Sequence, residues 1–267
     1  MNRIDETFKR LQRDGKKAFI PYVTAGDPDM GTTKKIVHAL VRAGADIIEL
    51  GVPFSDPLAD GPTIQKAIHR SLENGCTTKK TFELVKELRK EIDNPLVFMT
   101  YYNIIFSYGV KKFIKRAKVC GVDGVIVPDL PMEESTELYN AAKTEGLCLI
   151  MLAAPTTPLE RARKIARYSC GFLYYISITG VTGARKALSK KLKLEVAGIR
   201  NATTTPVCVG FGISNAAQAK DVAKLSDGVI IGSAIIKRIE KNLGNNSKIV
   251  SEIEIFSKSI AKAVHKA

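Results

Sequence analysis

The sequence predicts a (β/α)8 barrel, and three observations carry that reading. Eight short apolar runs recur along the chain, a helical pattern follows each, and successive runs mostly lie about 20 to 35 residues apart. Strands joined through helices of that length pair in parallel, and eight of them close into a TIM barrel. The length of 267 residues with 45% hydrophobic content suits a single barrel domain spanning 1–267. An open doubly wound sheet is the runner-up.

The elements follow in order. Ile4, Phe8 and Leu11 recur at helical spacing, which predicts an extra N-terminal helix ahead of the first strand. The expected strands are Ala18 to Val23, Asp46 to Leu50, Leu96 to Tyr101, Gly124 to Val127, Leu147 to Leu152, Phe172 to Ile176, Pro206 to Val209 and Gly228 to Ile231. Between them, Ile36 to Val41 carries apolar pairs four residues apart, and the segment around Leu138 follows a run of acids suited to a helix start. The interval from Asp46 to Leu96 is the longest, and its excess is expected in the loop with Asp56 and Asp60. The next longest contains Ser177 to Arg185, a candidate mobile lid.

Composition narrows the function classes. No signal-peptide core opens the chain and no apolar run reaches about 18 residues, so a cytoplasmic protein without membrane spans is expected. Cys76, Cys120, Cys148, Cys170 and Cys208 are scattered singly and read as reduced core residues. The net charge of +14 is spread over nearly every helical segment without interleaved aromatics. That distribution favours a solvated basic surface and anionic small molecules over nucleic acid.

The chemistry concentrates at strand ends. Glu49 closes the apolar strand of Ile47, Ile48 and Leu50, where a carboxylate is costly to desolvate and tends to keep its proton, as a general acid requires. Taken alone, the segment also fits a strand-end salt bridge, with Asp56 and Asp60 as turn formers beside Pro57 and Gly61. Three later strand ends carry small residues: Gly180 to Ala184, Gly210 to Gly212, and Gly232 with Ser233 at a helix start. Glycine lets backbone N–H groups approach an oxyanion, so a phosphate monoester substrate is expected there. No expected strand contains Lys, and His38, His69 and His265 sit far apart on helical segments, so neither a Schiff base nor a metal site is expected. Glu49, Asp60, Asp129, Tyr22, Tyr101, Tyr102, Tyr174 and Tyr175 remain as inward-aimed titratable groups, which leaves carboxylate acid–base chemistry.

Five segments together, Pro21 to Pro28, Glu49 to Pro62, Thr179 to Gly183, Gly210 to Ser214 and Gly232 with Ser233, resemble the tryptophan synthase α-subunit family over essentially the whole chain. The resemblance implies reversible retro-aldol cleavage of indole-3-glycerol phosphate to indole and glyceraldehyde-3-phosphate. It implies that Glu49 is the acid–base residue, that Asp60 accepts the indole N–H, and that Tyr175 lies beside the glutamate. Thr182 would close over the site toward the aspartate, and Gly183, Gly212, Gly232 and Ser233 would hold phosphate. Tyr22, Tyr101 and Phe211 would line the indole slot, Tyr22 standing where phenylalanine is often found. No cofactor is expected in this chain, whereas a partner β subunit holding pyridoxal phosphate is implied, in an α2β2 complex. Pro53, Asp56, Pro57, Asn103, Phe106, Asp129 and Pro131 would contribute the contact rim. Another phosphate-binding barrel enzyme, or a silent activator of a β subunit, are the alternatives.

Overall fold

The structure, a computed structural model, describes residues 2–176, 185–201, 203–210 and 212–267, with the side chains of 185–191 left out. Helix α1 (Arg3–Arg13) starts where the Asn2 side chain accepts the Ile4 N–H, with Asp5 and Glu6 in its first turn and Arg10 and Arg13 in its last. Its buried face of Ile4, Phe8 and Leu11, the set read from the spacing, joins Ile20, Val97, Ile126, Ile150, Phe172 and Ile230 in the barrel interior. Covering an Ile, Leu or Phe of this kind contributes roughly 1.5–3 kcal/mol, so α1 is held as a plug under the barrel.

Strand β1 (Ala18–Thr24) leads to α2 (Met30–Arg42), then β2 (Ile48–Gly51), α3 (Pro62–Glu73), α4 (Thr78–Leu88) and β3 (Leu96–Met99). The long interval before β3 therefore holds two helices, and the connection carrying Asp56 and Asp60 is confined to residues 52–61. Pro62 at the first position of α3 and the Thr77 cap of α4 explain why each helix starts where it does. Helices α5 (Tyr102–Tyr108) and α6 (Val110–Cys120) precede β4 (Gly124–Ile126), followed by α7 (Thr136–Glu145). Then come β5 (Cys148–Ile150), β6 (Leu152–Ala153), α8 (Leu159–Tyr168), β7 (Leu173–Ile176), α9 (Arg185–Arg200) and β8 (Val207–Gly210). Helix α10 (Ala216–Ala223), β9 (Gly228–Ile231), α11 (Ser233–Lys241) and α12 (Asn246–Val264) finish the chain.

All described pairings are parallel, in the order β5-β4-β3-β2-β1-β9-β8-β7-β6. The two ends of that order, β5 and β6, are halves of one expected strand interrupted at Met151. The lower half pairs with β4 and the upper half with β7, which closes the (β/α)8 barrel. A second apolar layer fills the space between the strands' outer faces and the helices.

The cysteines differ from the sequence expectation. Cys148 and Cys170 form a disulfide, while Cys76, Cys120 and Cys208 are free and buried. Singly scattered positions carry no trace of that pairing, because the register that faces residue 148 with residue 170 is set by the sheet.

Candidate active site

Side chains alternate along β2, so Ile47 and Glu49 face the barrel interior while Ile48 and Leu50 face the helices. Glu49 is 1% exposed, and neither of its carboxylate oxygens has a hydrogen-bond partner among the described residues. Burial first, and then the charge of Asp60, push its pKa up to about 8, so the group holds a proton at neutral pH.

Asp60 reaches the same space from the β2–α3 connection. The Tyr101 hydroxyl donates to its Oδ2 at 2.7 Å and accepts the Ala59 N–H at 3.1 Å, fixing the loop to the start of α5. Gln65 of α3 donates to the backbone carbonyls of Asp60 and Pro57. Burial raises the Asp60 pKa, and the Tyr101 hydrogen bond pulls it back toward the ionised form. Phe54 packs on Tyr101 with ring centroids 5.2 Å apart, giving the loop an apolar wall.

Tyr22 is the register partner of Glu49 on β1 and is buried, its hydroxyl 3.1 Å from Thr24 Oγ1. Its ring occupies the space a side chain at Gly51 would need and also borders Gly232. Tyr174 has the same relation to Gly210 at the end of β8. Burial, followed by the charges of Glu49 and Asp60, raises the Tyr174 pKa well above its usual value.

Tyr175 is placed differently from its expected position beside Glu49. Its hydroxyl donates to Glu195 of α9 at 2.9 Å, on the outer face of β7, and it belongs to the layer between strands and helices. Tyr174 points inward in its stead, as strand alternation from Phe172 requires. That alternation was the available signal for choosing Tyr174 over Tyr175, which the sequence reading had counted together as inward-aimed.

On the opposite side, Gly212 has φ 71°, a conformation suited to glycine, and Gly232 caps α11, whose first residue is Ser233. A helix opening directly from the end of β9 presents N–H groups suited to an anion. Thr182, Gly183 and Phe211, also expected here, lie outside the described residues. Around the rim Asp56, Asn103, Phe106, Asp129 and Pro131 are exposed, whereas Pro53 and Pro57 are buried under the loop. Phe106 at 66% and Leu58 at 90% exposure put apolar surface beside the mouth. Asp129 accepts the Tyr102 N–H and so ties the β4 end to α5. Among the described residues, no three His, Cys, Asp or Glu side chains gather as metal ligands do.

A parallel barrel with an unpartnered buried carboxylate and a second carboxylate at its strand ends has the build of a (β/α)8 enzyme. Comparison with known proteins narrows this class. The family model described as tryptophan synthase alpha chain matches residues 8–265. The tryptophan synthase alpha chain of Geotalea daltonii is 46% identical over 263 residues, covering 98% of this chain and 100% of that one. The alpha chain of a Thermoanaerobacter species is 46% identical over 264 residues, 99% of this chain and 100% of its own. The crystal structure of tryptophan synthase subunit alpha from Legionella pneumophila superposes with TM-score 0.92 at 37% identity, covering 99% of this chain and 98% of that one. A structure of Mycobacterium tuberculosis tryptophan synthase gives TM-score 0.89 at 32% identity over 99% of this chain and 98% of that one. The chain belongs to the tryptophan synthase alpha chain family, the lyases of tryptophan biosynthesis.

Proposed function

We propose that this chain cleaves indole-3-glycerol phosphate reversibly to indole and glyceraldehyde-3-phosphate, with Glu49 moving the protons. The observation that carries the reading is Glu49 itself, a carboxyl group buried among apolar strands with both oxygens unpartnered among the described residues and a pKa of about 8. Such a group is protonated when substrate arrives and delivers that proton to the indole C3. The carboxylate left behind draws the proton from the glycerol hydroxyl adjoining the ring. As that O–H bond becomes a carbonyl, the carbon–carbon bond breaks and its electron pair returns to the ring, releasing indole.

Protonating C3 places positive charge on the ring nitrogen. Asp60, steadied by Tyr101 and partly held ionised by that hydrogen bond, accepts the indole N–H and stabilises the charge. Tyr22, Tyr101 and Tyr174 border the slot for the ring. Gly212, Gly232 and Ser233 cradle the phosphate at the far side of the barrel mouth, a division of labour common to barrels. Thr182, Gly183 and Phe211 keep the lid, phosphate and ring roles that the family resemblance implies. The exposed Phe106 and Leu58, flanked by Asp56, Asn103, Asp129 and Pro131, form the rim on which a β subunit docks, the partner carrying pyridoxal phosphate in an α2β2 assembly.

The test is indole release from indole-3-glycerol phosphate by the purified chain, with and without a tryptophan synthase β subunit. Weak release that rises strongly with the partner is the expected result. No release in either condition overturns the reading.

A further inference from the structure

We propose that the Cys148–Cys170 disulfide is a reversible thiol–disulfide site that staples the barrel between β5 and the approach to β7, and that small thiols open it from the cleft beneath. The two cysteines are 22 residues apart, the same offset that relates Leu152 to Tyr174 in the β6–β7 ladder. A continued ladder would therefore set Cys148 opposite Cys170. Backbone pairing between these strands is limited to Leu152 with Tyr174 and Ala153 with Tyr175, because the chain turns at Gly171, where φ is 77°. Below that point only the Cys170 N–H to Leu149 carbonyl bond at 3.0 Å ties the two segments through their backbones among the described residues. The disulfide thus spans the stretch of the seam where the ladder is missing. It lies at the end of the barrel opposite Glu49 and Asp60.

The bridge is reached from outside. A cavity of about 450 Å³ beneath β5 is lined by both cysteines, Asn2, Tyr139, Lys118 and Lys143. Cys148 is fully buried and Cys170 partly exposed, so the outer sulfur is the one presented to an incoming thiolate. Attack on Cys170 Sγ breaks the bridge, forms a mixed disulfide and releases Cys148 as a thiolate that takes a proton. A second thiolate attacks the small-molecule sulfur of that mixed disulfide, freeing Cys170 and leaving the oxidised small disulfide. Two electrons pass from two small thiols to the protein, and the reverse sequence re-forms the bridge. Lys118 and Lys143 line the cavity against one acid, Asp5, and this net positive lining favours anionic thiols.

Thiol counting and melting test the proposal. Protein equilibrated with oxidised glutathione, then denatured and alkylated, is expected to show three reactive cysteines and a linked pair of tryptic peptides, 144–161 with 168–185. After reduced glutathione all five are expected to react. Reduction is expected to lower Tm by about 5 to 10 °C, the scale for opening one such loop in a chain of this size. Cys170→Ser should melt like the reduced protein and ignore the thiol. At low salt, anionic glutathione should open the bridge several-fold faster than cationic cysteamine once their intrinsic thiol reactivities are normalised. Five reactive cysteines in the oxidised sample, or equal melting in both states, overturns the site and the staple respectively. Equal normalised rates overturn access past the lysines.

Discussion

The floor of the barrel and the Glu49–Asp60 pair at its mouth treat carboxylates in opposite ways, whereas Asp27, just beyond the end of β1, is paired with Arg70 like the acids of the floor. At the lower end three aspartates precede strands, and each is fully engaged. Asp46 accepts the Phe19 N–H and meets His265 and Arg10; Asp123 accepts the Leu96 N–H and meets Arg3 and Arg89. Asp227 accepts the Val207 N–H and meets Arg200 and Lys17. Each thereby links a strand edge to a helix or loop cation, closing the floor that α1 plugs. At the upper end Glu49 has no cation and no hydrogen-bond donor among the described residues, and Asp60 is held by a tyrosine hydroxyl. A carboxylate satisfied by the protein contributes stability, and one left unsatisfied retains its need for a proton or a ligand. By this contrast Glu49 stands apart from Asp46, Asp123 and Asp227 as the carboxylate with no protein partner among the described residues.

The sharpest way to break the contrast is to exchange the consequences. Glu49→Gln is expected to reduce indole release by roughly 10² to 10⁴ or more, since it removes the group that moves protons, while leaving the fold intact. Near-normal release would mean that the unpartnered carboxyl is not the acid. Asp123→Ala should do the reverse. It strips the Leu96 N–H of its acceptor and leaves Arg89 without its buried counter-charge, so stability should fall by about 3 kcal/mol while kcat holds. That figure is the lower end for breaking a buried ion pair, because Arg89 also donates to the carbonyls of Gly121, Ile92 and Asn94. Urea melts that match the parent protein would remove Asp123 from the floor.

A pH series sharpens the same point. The Glu49 pKa lies at about 8 in the folded chain against an ordinary 4.5, so the folded state binds the proton more tightly. Glu49 therefore costs nothing below pH 4.5 and destabilises increasingly as pH rises toward 8. The Tm advantage of Glu49→Gln over the parent should grow across that window and level off above it. An advantage independent of pH would contradict a raised pKa. The smallest effect separates the two adjacent tyrosines. Tyr175→Phe should cost about 1 kcal/mol through its lost bond to Glu195 and leave turnover unchanged, whereas Tyr174→Phe should alter turnover instead.

That pair of tyrosines also marks the limit of what could be read without coordinates. The barrel class, the N-terminal helix and the inward aim of Glu49 were legible because apolar periodicity and one misplaced charge survive in a linear sequence. Choosing between Tyr174 and Tyr175 depends on a single step of strand register, and one step exchanges interior for exterior. The excess after β2 was assigned to the loop alone, although Phe82, Val85 and Leu88 already carry the helical spacing of α4. The floor aspartates and the disulfide were hidden for another reason: their partners are up to 219 residues away and become neighbours only when the barrel closes.

The fit of Tyr22 over Gly51 has an evolutionary corollary. While the tyrosine ring fills that space, even a methyl group at position 51 collides with it. Substitutions at the two sites are therefore coupled. Position 22 must shrink or swing away for position 51 to acquire a side chain, so the shape of the ring pocket is set jointly by the two positions.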